Sequence, residues 1–350
     1  IINLIKFILK YTNYLSKYNR VAFINVYLNI WDYLRMNLNL FLFPYFRFYD
    51  DNINLNAVVD INLNNNLISK LINIKKNPTI NEIATHLVFK IMPLCYIEGF
   101  REMLDIKNKT NFPINPKYII TSVNCDTDEV FKFWAVDMIN KGSQLIIYQH
   151  GNNYGTEKNK NNPSMDEKIS DKFITWGWGK NNKKYFPSQI IKRFKFKNNR
   201  NFSQSKKIYL LENALLNSYN THDVYAEFNN YFLEQKNFVS NLRAEIKNNL
   251  IVKLHSAYLD IYHYEEDLRW KDFDSSLFID TGKMKFKQII KDSKIIVFSY
   301  DSSGFYESLA YNIPCLAFWQ NKLEHVRDSA KPFYDILLQA ELIFFSADKV

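Results

Sequence analysis

The chain has 350 residues, 47% hydrophobic and 23% charged, with 8 glycines, 9 prolines and 3 cysteines. That length holds about two ordinary α/β domains, and the apolar share excludes a disordered tail, a collagen-like repeat or a disulfide-stapled mini-protein. With 45 Lys and Arg against 36 Asp and Glu, the net charge of +9 attracts anions, although AT-rich coding DNA produces the same Lys, Asn, Ile, Tyr and Phe richness.

Cys95, Cys125 and Cys315 stand far apart in no metal-ligand spacing, the pattern of a chain kept in a reducing compartment. No apolar run reaches the length of about 18 residues that a membrane span needs. The chain opens at Ile1 without an initiator Met and stops at Val350 shortly after an apolar stretch, so it reads as a fragment of something longer.

The first hundred or so residues predict helix. Val21 to Asp50 carries a dense aromatic series (Phe23, Tyr27, Trp31, Tyr33, Phe41, Phe43, Phe46 and Tyr49) interrupted by Pro44, as in helices buried on several faces. Asp51 to Pro78 is rich in Asn and reads as loop. Thr79 to Met92 fits a helix, with Thr79 or Asn81 as cap and Pro93 beyond its end.

From Lys117 the period changes. Strands are predicted at Tyr118–Val123, Gln144–Tyr148 and Phe173–Trp176, with a helix through Val130, Phe131, Trp134, Ala135 and Met138 that ends at Gly142. The second half repeats the alternation, with strands at Lys207–Leu211, Leu250–Leu254, Lys294–Phe298, Ile313–Phe318 and Leu342–Phe345. Helices are predicted at Asp223–Asn248, Met284–Asp292 and around Ser303–Tyr311. Such alternation predicts an α/β fold with parallel sheets. Two such blocks meeting at the basic, Asn-rich stretch Lys192 to Lys207 predict two Rossmann-like domains facing a cleft, preceded by a helical segment. The expected boundaries are 1–115 (a helical region, part of a truncated N-terminal domain), 116–200 and 201–350.

In such sheets ligands sit at the carboxyl ends of strands, so residues just after each strand are informative. Gln149-His-Gly-Asn-Asn-Tyr-Gly155 follows one strand. Gly151 and Gly155 let the backbone turn sharply, and His150 stands where an imidazole can take a proton near neutral pH. The plainer alternative is a turn whose histidine hydrogen-bonds a loop.

Tyr300-Asp-Ser-Ser-Gly-Phe-Tyr-Glu307 follows another strand and opens a helix. Its N–H groups with Ser302, Ser303 and Gly304 form a candidate phosphate site, and Glu307 sits one turn in, placed for a ribose or sugar hydroxyl. A capping box would need a hydroxyl at Gly304, though Ser303 alone could cap. His255, ending a third strand with Lys253 nearby, could contact a base or phosphate, or simply pack in a loop.

Asp126-Thr-Asp128, after a fourth strand, has the spacing of a metal–nucleotide site, but either aspartate serves equally as a helix cap, and no metal is expected. No Gly-x-Gly-x-x-Gly, Walker loop, His-Glu-x-x-His or Cys-x-x-Cys occurs, so no cofactor is expected. The one basic–aromatic interleaving, Phe194-Lys-Phe-Lys197, lies in the linker, so no nucleic-acid partner is expected.

At these residues the chain resembles the LIC-type transferases linked to bacterial surface carbohydrate synthesis. The resemblance rests on Phe131-Lys-x-Trp134, Gln149-His-Gly151, Tyr154-Gly155, and Ile169-Ser-Asp171 through Thr175-Trp-Gly-Trp178. It extends to Ser302–Pro314, Trp319, and the earlier aromatic segment from Asn29-Ile-Trp31 to Tyr49-Asp50. In that family Gln-His-Gly is usually followed by another Gly, where this chain has Asn152. The strand Val252–His255 would normally carry an Arg and a Tyr-like residue, which weakens any role for His255.

The resemblance implies a GT-B-like glycosyltransferase that moves a sugar from a nucleotide donor to a cell-surface glycan or lipid-linked acceptor, with the domain 116–200 on the acceptor side and 201–350 holding the donor. His150 would be the general base, with Gly151, Tyr154, Gly155, His255, Ser302, Ser303, Gly304 and Glu307 on substrate. The expected location is cytoplasmic, peripheral on an anionic inner membrane face. The Gln-His-Gly element is also similar to that of transferases using CMP-activated keto-sugar acids. Such an enzyme, a polyol-phosphate transferase on the same fold, or a non-catalytic nucleotide- or glycan-binding protein are the alternatives.

Overall fold

A computed structural model describes residues 2–47, 55–71, 79–158, 164–179, 181–190, 205–213, 228–256, 266–320 and 322–350. The chain divides into two compact units. The first comprises Ile1–Val26, Ile30–Tyr148 and Ile169–Lys172, and the second comprises Tyr27–Asn29, Gln149–Lys168 and Phe173–Val350. The expected linker lies almost entirely outside the described residues, as does Phe194–Lys197.

The N-terminal helical expectation holds for α1 (Ile2–Ser16), α2 (Ile30–Asn39), α4 (Ile80–Ile91) and α5 (Phe100–Lys109); it fails at residues 40–47, where Phe41, Phe43 and Phe46 lie outside any helix and Phe41 is exposed, and at Val21–Ile24. Val21–Ile24 is a strand, β1, pairing in parallel with β2 (Tyr118–Thr121) from Val21 opposite Tyr118 to Ile24 opposite Thr121. Its four residues are too few to show a period among the flanking aromatics. Ile61–Leu71, read as loop for its asparagines, is helix α3. Thr79 caps α4 in a capping box with Glu82.

β2 pairs in parallel with β3 (Gln144–Tyr148), and β4 (Lys172–Thr175) with β5 (Tyr185–Pro187), in the order β1-β2-β3-β4-β5. Between β2 and β3 run a short turn, α6 (Asn124–Thr127), and α7 (Glu129–Asn140). α7 buries Phe131 and Trp134 against Phe112, with the Phe112 and Trp134 rings stacked at 4.7 Å. Asp128 accepts from Phe131 N–H as the α7 cap and takes both Arg47 Nε and Nη2, so this aspartate is a buried structural anion.

Within the second unit, a second sheet has six strands among the described residues: β6 (Lys207–Leu211), β7 (Leu250–Lys253), β8 (Phe278–Asp280), β9 (Ser293–Phe298), β10 (Cys315–Phe318) and β11 (Ile343–Phe344). All pair in parallel, in the order β11-β10-β9-β6-β7-β8. Numbered within the sheet this is 3-2-1-4-5-6, the doubly wound dinucleotide-fold order, with its switch point between β6 and β9. Successive strand residues feed opposite faces. Tyr209, Ile251 and Ile296 pack with Ile289, Phe305 and Tyr334, while Leu210, Val252 and Val297 pack with Phe232, Phe238 and Trp270. The helices bringing these side chains are α12 (Phe286–Asp292), α13 (Ser303–Ala310) and α14 (Lys331–Gln339) on one face, and α9 (Phe228–Asn241) and α11 (Glu266–Phe273) on the other. Double-sided burial explains the near-continuous β-branched runs of β7 and β9.

At the carboxyl end of β6, the buried Glu212 accepts from the Trp270 indole N–H at 2.8 Å. Burial, then the Glu266 charge, holds the Glu212 carboxyl well above its ordinary range. Burial pushes Glu266 up to about 7. The folded state therefore binds protons that the unfolded chain releases, and stability falls as pH rises from the ordinary carboxylate range toward 7. We expect urea midpoints of the wild type to decrease across that window, and Glu266→Gln to flatten the decrease; a slope unchanged in the variant contradicts the assignment.

Candidate functional site

The loop after β3 is built around the buried Gln149. Its backbone N–H donates to Ile174 O at 2.9 Å, and its amide nitrogen donates to Gly151 O at 2.7 Å. Its amide oxygen accepts from Trp176 N–H at 2.9 Å and from the Trp178 indole at 2.8 Å, while the Trp176 indole donates to Gln149 O at 3.1 Å. One neutral side chain thus joins the Gln-His-Gly turn to the Trp-Gly-Trp segment. Gly155 has φ +76°, and a Cβ there would come within 2.7 Å of the Trp178 ring, so no other residue fits.

His150 lies half-buried on this frame, with its ring edge-on to Tyr154 at 5.2 Å and tilted to Tyr27 at 6.0 Å. The Tyr154 hydroxyl is 3.2 Å from His150 Nδ1 and donates to Asp166 Oδ2 at 2.6 Å. Both Tyr154 and Asp166 are buried.

The turn after β9 meets this loop within the second unit. Asn152 N–H donates to Ser303 Oγ at 3.0 Å, and Ser303 Oγ donates back to Asn152 Oδ1 at 3.0 Å. Asn152 Nδ2 donates to Asp301 Oδ1 and to Asp301 O, both at 3.1 Å. The residue that departs from the resembled pattern is therefore the one that cross-links the two turns.

Asp301 is 4% exposed, and its carboxylate is an acceptor hub. Besides Asn152 it takes the Tyr306 hydroxyl at 3.0 Å, the Tyr334 hydroxyl at 2.6 Å and His325 Nε2 at 3.0 Å. Burial, then the Asp301 charge, pushes both phenols well above their ordinary range, so both stay protonated donors.

Together His150, Gly151, Asn152, Asn153, Tyr154 and the turn Tyr300–Ser303 line a pocket of about 240 Å³. Of the residues expected at a site, His150, Gly151, Tyr154, Ser302 and Ser303 are brought together here. Ser302 is the α13 N-cap, accepting from Gly304 N–H at 3.1 Å. Gly304 packs under Phe298, where a Cβ would stand 2.9 Å from the ring. Glu307 is buried one turn into α13, and Gly155 backs onto Trp178; neither lines the pocket. His255 follows β7 and is not among those lining residues, its imidazole held below the usual range by burial and then by Lys253.

Gln149, Asn152, Asp166, Asp301, His325 and Tyr334 were not singled out from sequence. Gln149, Asn152 and Asp301 lay inside the two quoted motifs, directly after strands, which was the available signal. Among the described residues no group of three or more His, Cys, Asp or Glu is arranged to hold a metal ion.

Asp301→Ala would strand several buried donors at once. We expect it to destabilise the protein by about 3–5 kcal/mol in urea unfolding, while Asp328→Ala, at an exposed position, leaves the curve in place. Equal curves for wild type and Asp301→Ala would remove the hub from the account.

No curated protein matches the chain. The profile of one family, described as LIC12162 family transferase, matches residues 3–350. That range takes in nearly every residue of both units, and the chain belongs to the LIC12162 transferase family.

Proposed function

We propose that the protein is a GT-B-like glycosyltransferase that moves a sugar from a nucleotide-activated donor to a cell-surface glycan or lipid-linked acceptor. The observation that carries this reading is the single pocket lined by both His150 and the N-terminal turn of α13, at the carboxyl ends of parallel strands. Membership of a transferase family supports it at the level of group transfer.

The donor diphosphate lies at the start of α13, where the positive end of the helix dipole and the Ser302–Ser303 turn meet an anion. The imidazole of His150 removes the proton from the acceptor hydroxyl. The freed oxygen pair attacks the anomeric carbon, the bond from that carbon to the phosphate oxygen breaks, and the nucleotide leaves with the bonding pair. The helix terminus stabilises the negative charge that grows on the leaving oxygen. The role expected for the Ser303 hydroxyl becomes indirect in this scheme, since that hydroxyl already exchanges hydrogen bonds with Asn152.

A thermal-shift screen against nucleotides and nucleotide sugars tests the donor site. One nucleotide class is expected to stabilise the fold, by about 2.7 kcal/mol at a hundredfold excess over Kd. His150→Gln should keep that shift and lose about 10²–10⁴-fold in donor turnover. A wild type that no nucleotide shifts overturns the transferase reading, and one that binds nucleotide yet turns over no donor favours a non-catalytic binding protein.

For the acceptor side we propose peripheral contact with an anionic membrane. Among the described residues no helix is long and apolar enough to cross one. In the first unit Tyr18, Trp31 and Phe41 are 73%, 76% and 96% exposed. Tyr18 and Phe41 also line a pocket of about 660 Å³ with Leu15, Val21, Arg20 and Lys117, apolar walls beside two cations. Aromatic anchors with a basic surface suit an anionic interface. Co-sedimentation with phosphatidylglycerol vesicles at low salt is expected, weakened by Trp31→Ala/Phe41→Ala; absence of sedimentation rules the contact out.

A further inference from the structure

We infer that the pocket at the amino ends of β1 and β2 is a site for one lipid phosphate, its head held by Arg20 and Lys117 and its chain by the apolar wall around Phe41. The inference deepens the membrane contact proposed above, and rests on that contact only for where the lipid is met.

The sheet itself places the two cations together. Val21 opens β1 opposite Tyr118 of β2, and the residues just before them are joined by Lys117 N–H donating to Arg20 O at 2.7 Å. Neighbouring strands run about 4.8 Å apart, so the two side chains leave adjacent backbones, and both line the pocket. Both residues are exposed, neither forms an ion pair among the described residues, and no carboxylate lines the pocket. Like charges on adjacent strands repel. The carboxyl ends of α1 and α2 border the same pocket with about half a negative charge each, so two full cations leave it positive. A phosphate set between the cations removes their repulsion and gives each of them an oxygen to donate to.

The rest of the wall is apolar, and it is built. The cavity of about 660 Å³ has the size of an ordinary small-ligand site. The buried Asn19 fixes one side, donating its amide N–H to Phe43 O at 2.6 Å and accepting from Phe43 N–H at 3.2 Å. Phe41 follows α2 with φ +55°. There Phe41 N–H donates to Leu38 O and Leu42 N–H to Asn37 O, the helix-ending turn in which glycine is the usual residue. A phenylalanine at that φ is strained, and with 96% of it exposed the ring finds little in the chain to offset the strain. An alkyl chain in the pocket supplies the missing apolar contact. The site lies at the amino ends of its strands, whereas the loop that carries His150 leaves the carboxyl end of β3, so the lipid phosphate is an anchor and not the reacting acceptor.

The experiment is isothermal titration of the full chain with dodecyl phosphate below its micelle concentration, beside inorganic phosphate and the uncharged dodecyl maltoside. The wild type is expected to bind one dodecyl phosphate per chain, and both controls far more weakly. Arg20→Gln/Lys117→Gln should weaken binding about tenfold or more, since it removes two charged donors. Its urea midpoint should be kept or raised, because a repulsion has gone. Phe41→Gly should also weaken binding while raising the midpoint, as glycine takes the positive φ without strain. A residue with a purely structural role would not lose binding in a stabilised fold. Absence of saturation, a control that binds as tightly as dodecyl phosphate, or indifference to the double variant overturns the proposal. One-to-one binding without vesicle co-sedimentation removes the membrane contact and keeps the site, and sedimentation without one-to-one binding does the reverse.

Discussion

The pocket depends on the burial of one charge. Asp301 sits at the carboxyl end of β9, out of water, and a carboxylate there is tolerable only if its lone pairs are filled. They are filled by Asn152 from the loop after β3, Tyr306 from α13, Tyr334 from α14 and His325 from the segment before α14. Satisfying one anion therefore fixes where α13 begins, where α14 lies and how the His150 loop meets both. The two tyrosines are held in the phenol form by the same burial that makes the carboxylate costly, so the network does not dissolve as pH rises through neutrality.

Gln149 does comparable work without charge. It uses both ends of a side-chain amide, giving to Gly151 O and taking from two tryptophans of one segment, so the turn that presents His150 is held by a buried group that never titrates. A carboxylate in its place could accept from the tryptophans but could not donate to Gly151. The pairing of Gln-His-Gly with Trp-Gly-Trp, visible in sequence as two separate motifs, is in this sense one hydrogen-bonded object closed by the Trp178 ring over Gly155.

How far the sequence could be read follows from this physics. β6, β7, β9 and β10 were legible because strands buried on both faces are runs of β-branched and aromatic residues bounded by helices. β1 was not, since Val21–Ile24 is drowned in neighbouring aromatics, nor were β5 and β8, each only three residues long. α3 was missed because asparagine lowers helix propensity only slightly. At the site, contiguous residues were found and remote ones were not. His150, Ser302 and Ser303 stand in local motifs, whereas His325 and Tyr334 reach Asp301 from 24 and 33 positions away with no periodic pattern to mark them. Asn152 looked like a departure from pattern because its partner, 149 residues further along, is visible only once the chain is folded.

A carboxylate next to a proposed phosphate site looks like a contradiction, since Asp301 immediately precedes the hydroxyl turn of α13. The direction of its lone pairs resolves it. Both oxygens are taken up by Asn152, Tyr306, Tyr334 and His325, so its charge is spread over donors drawn from its own unit. What the same turn offers the pocket is the start of a helix, where the backbone dipole favours an anion. The buried carboxylate thus supplies the rigidity of an anchor while both its oxygens face partners from its own unit, which is why the anchor is an aspartate tied by four side chains rather than an exposed one.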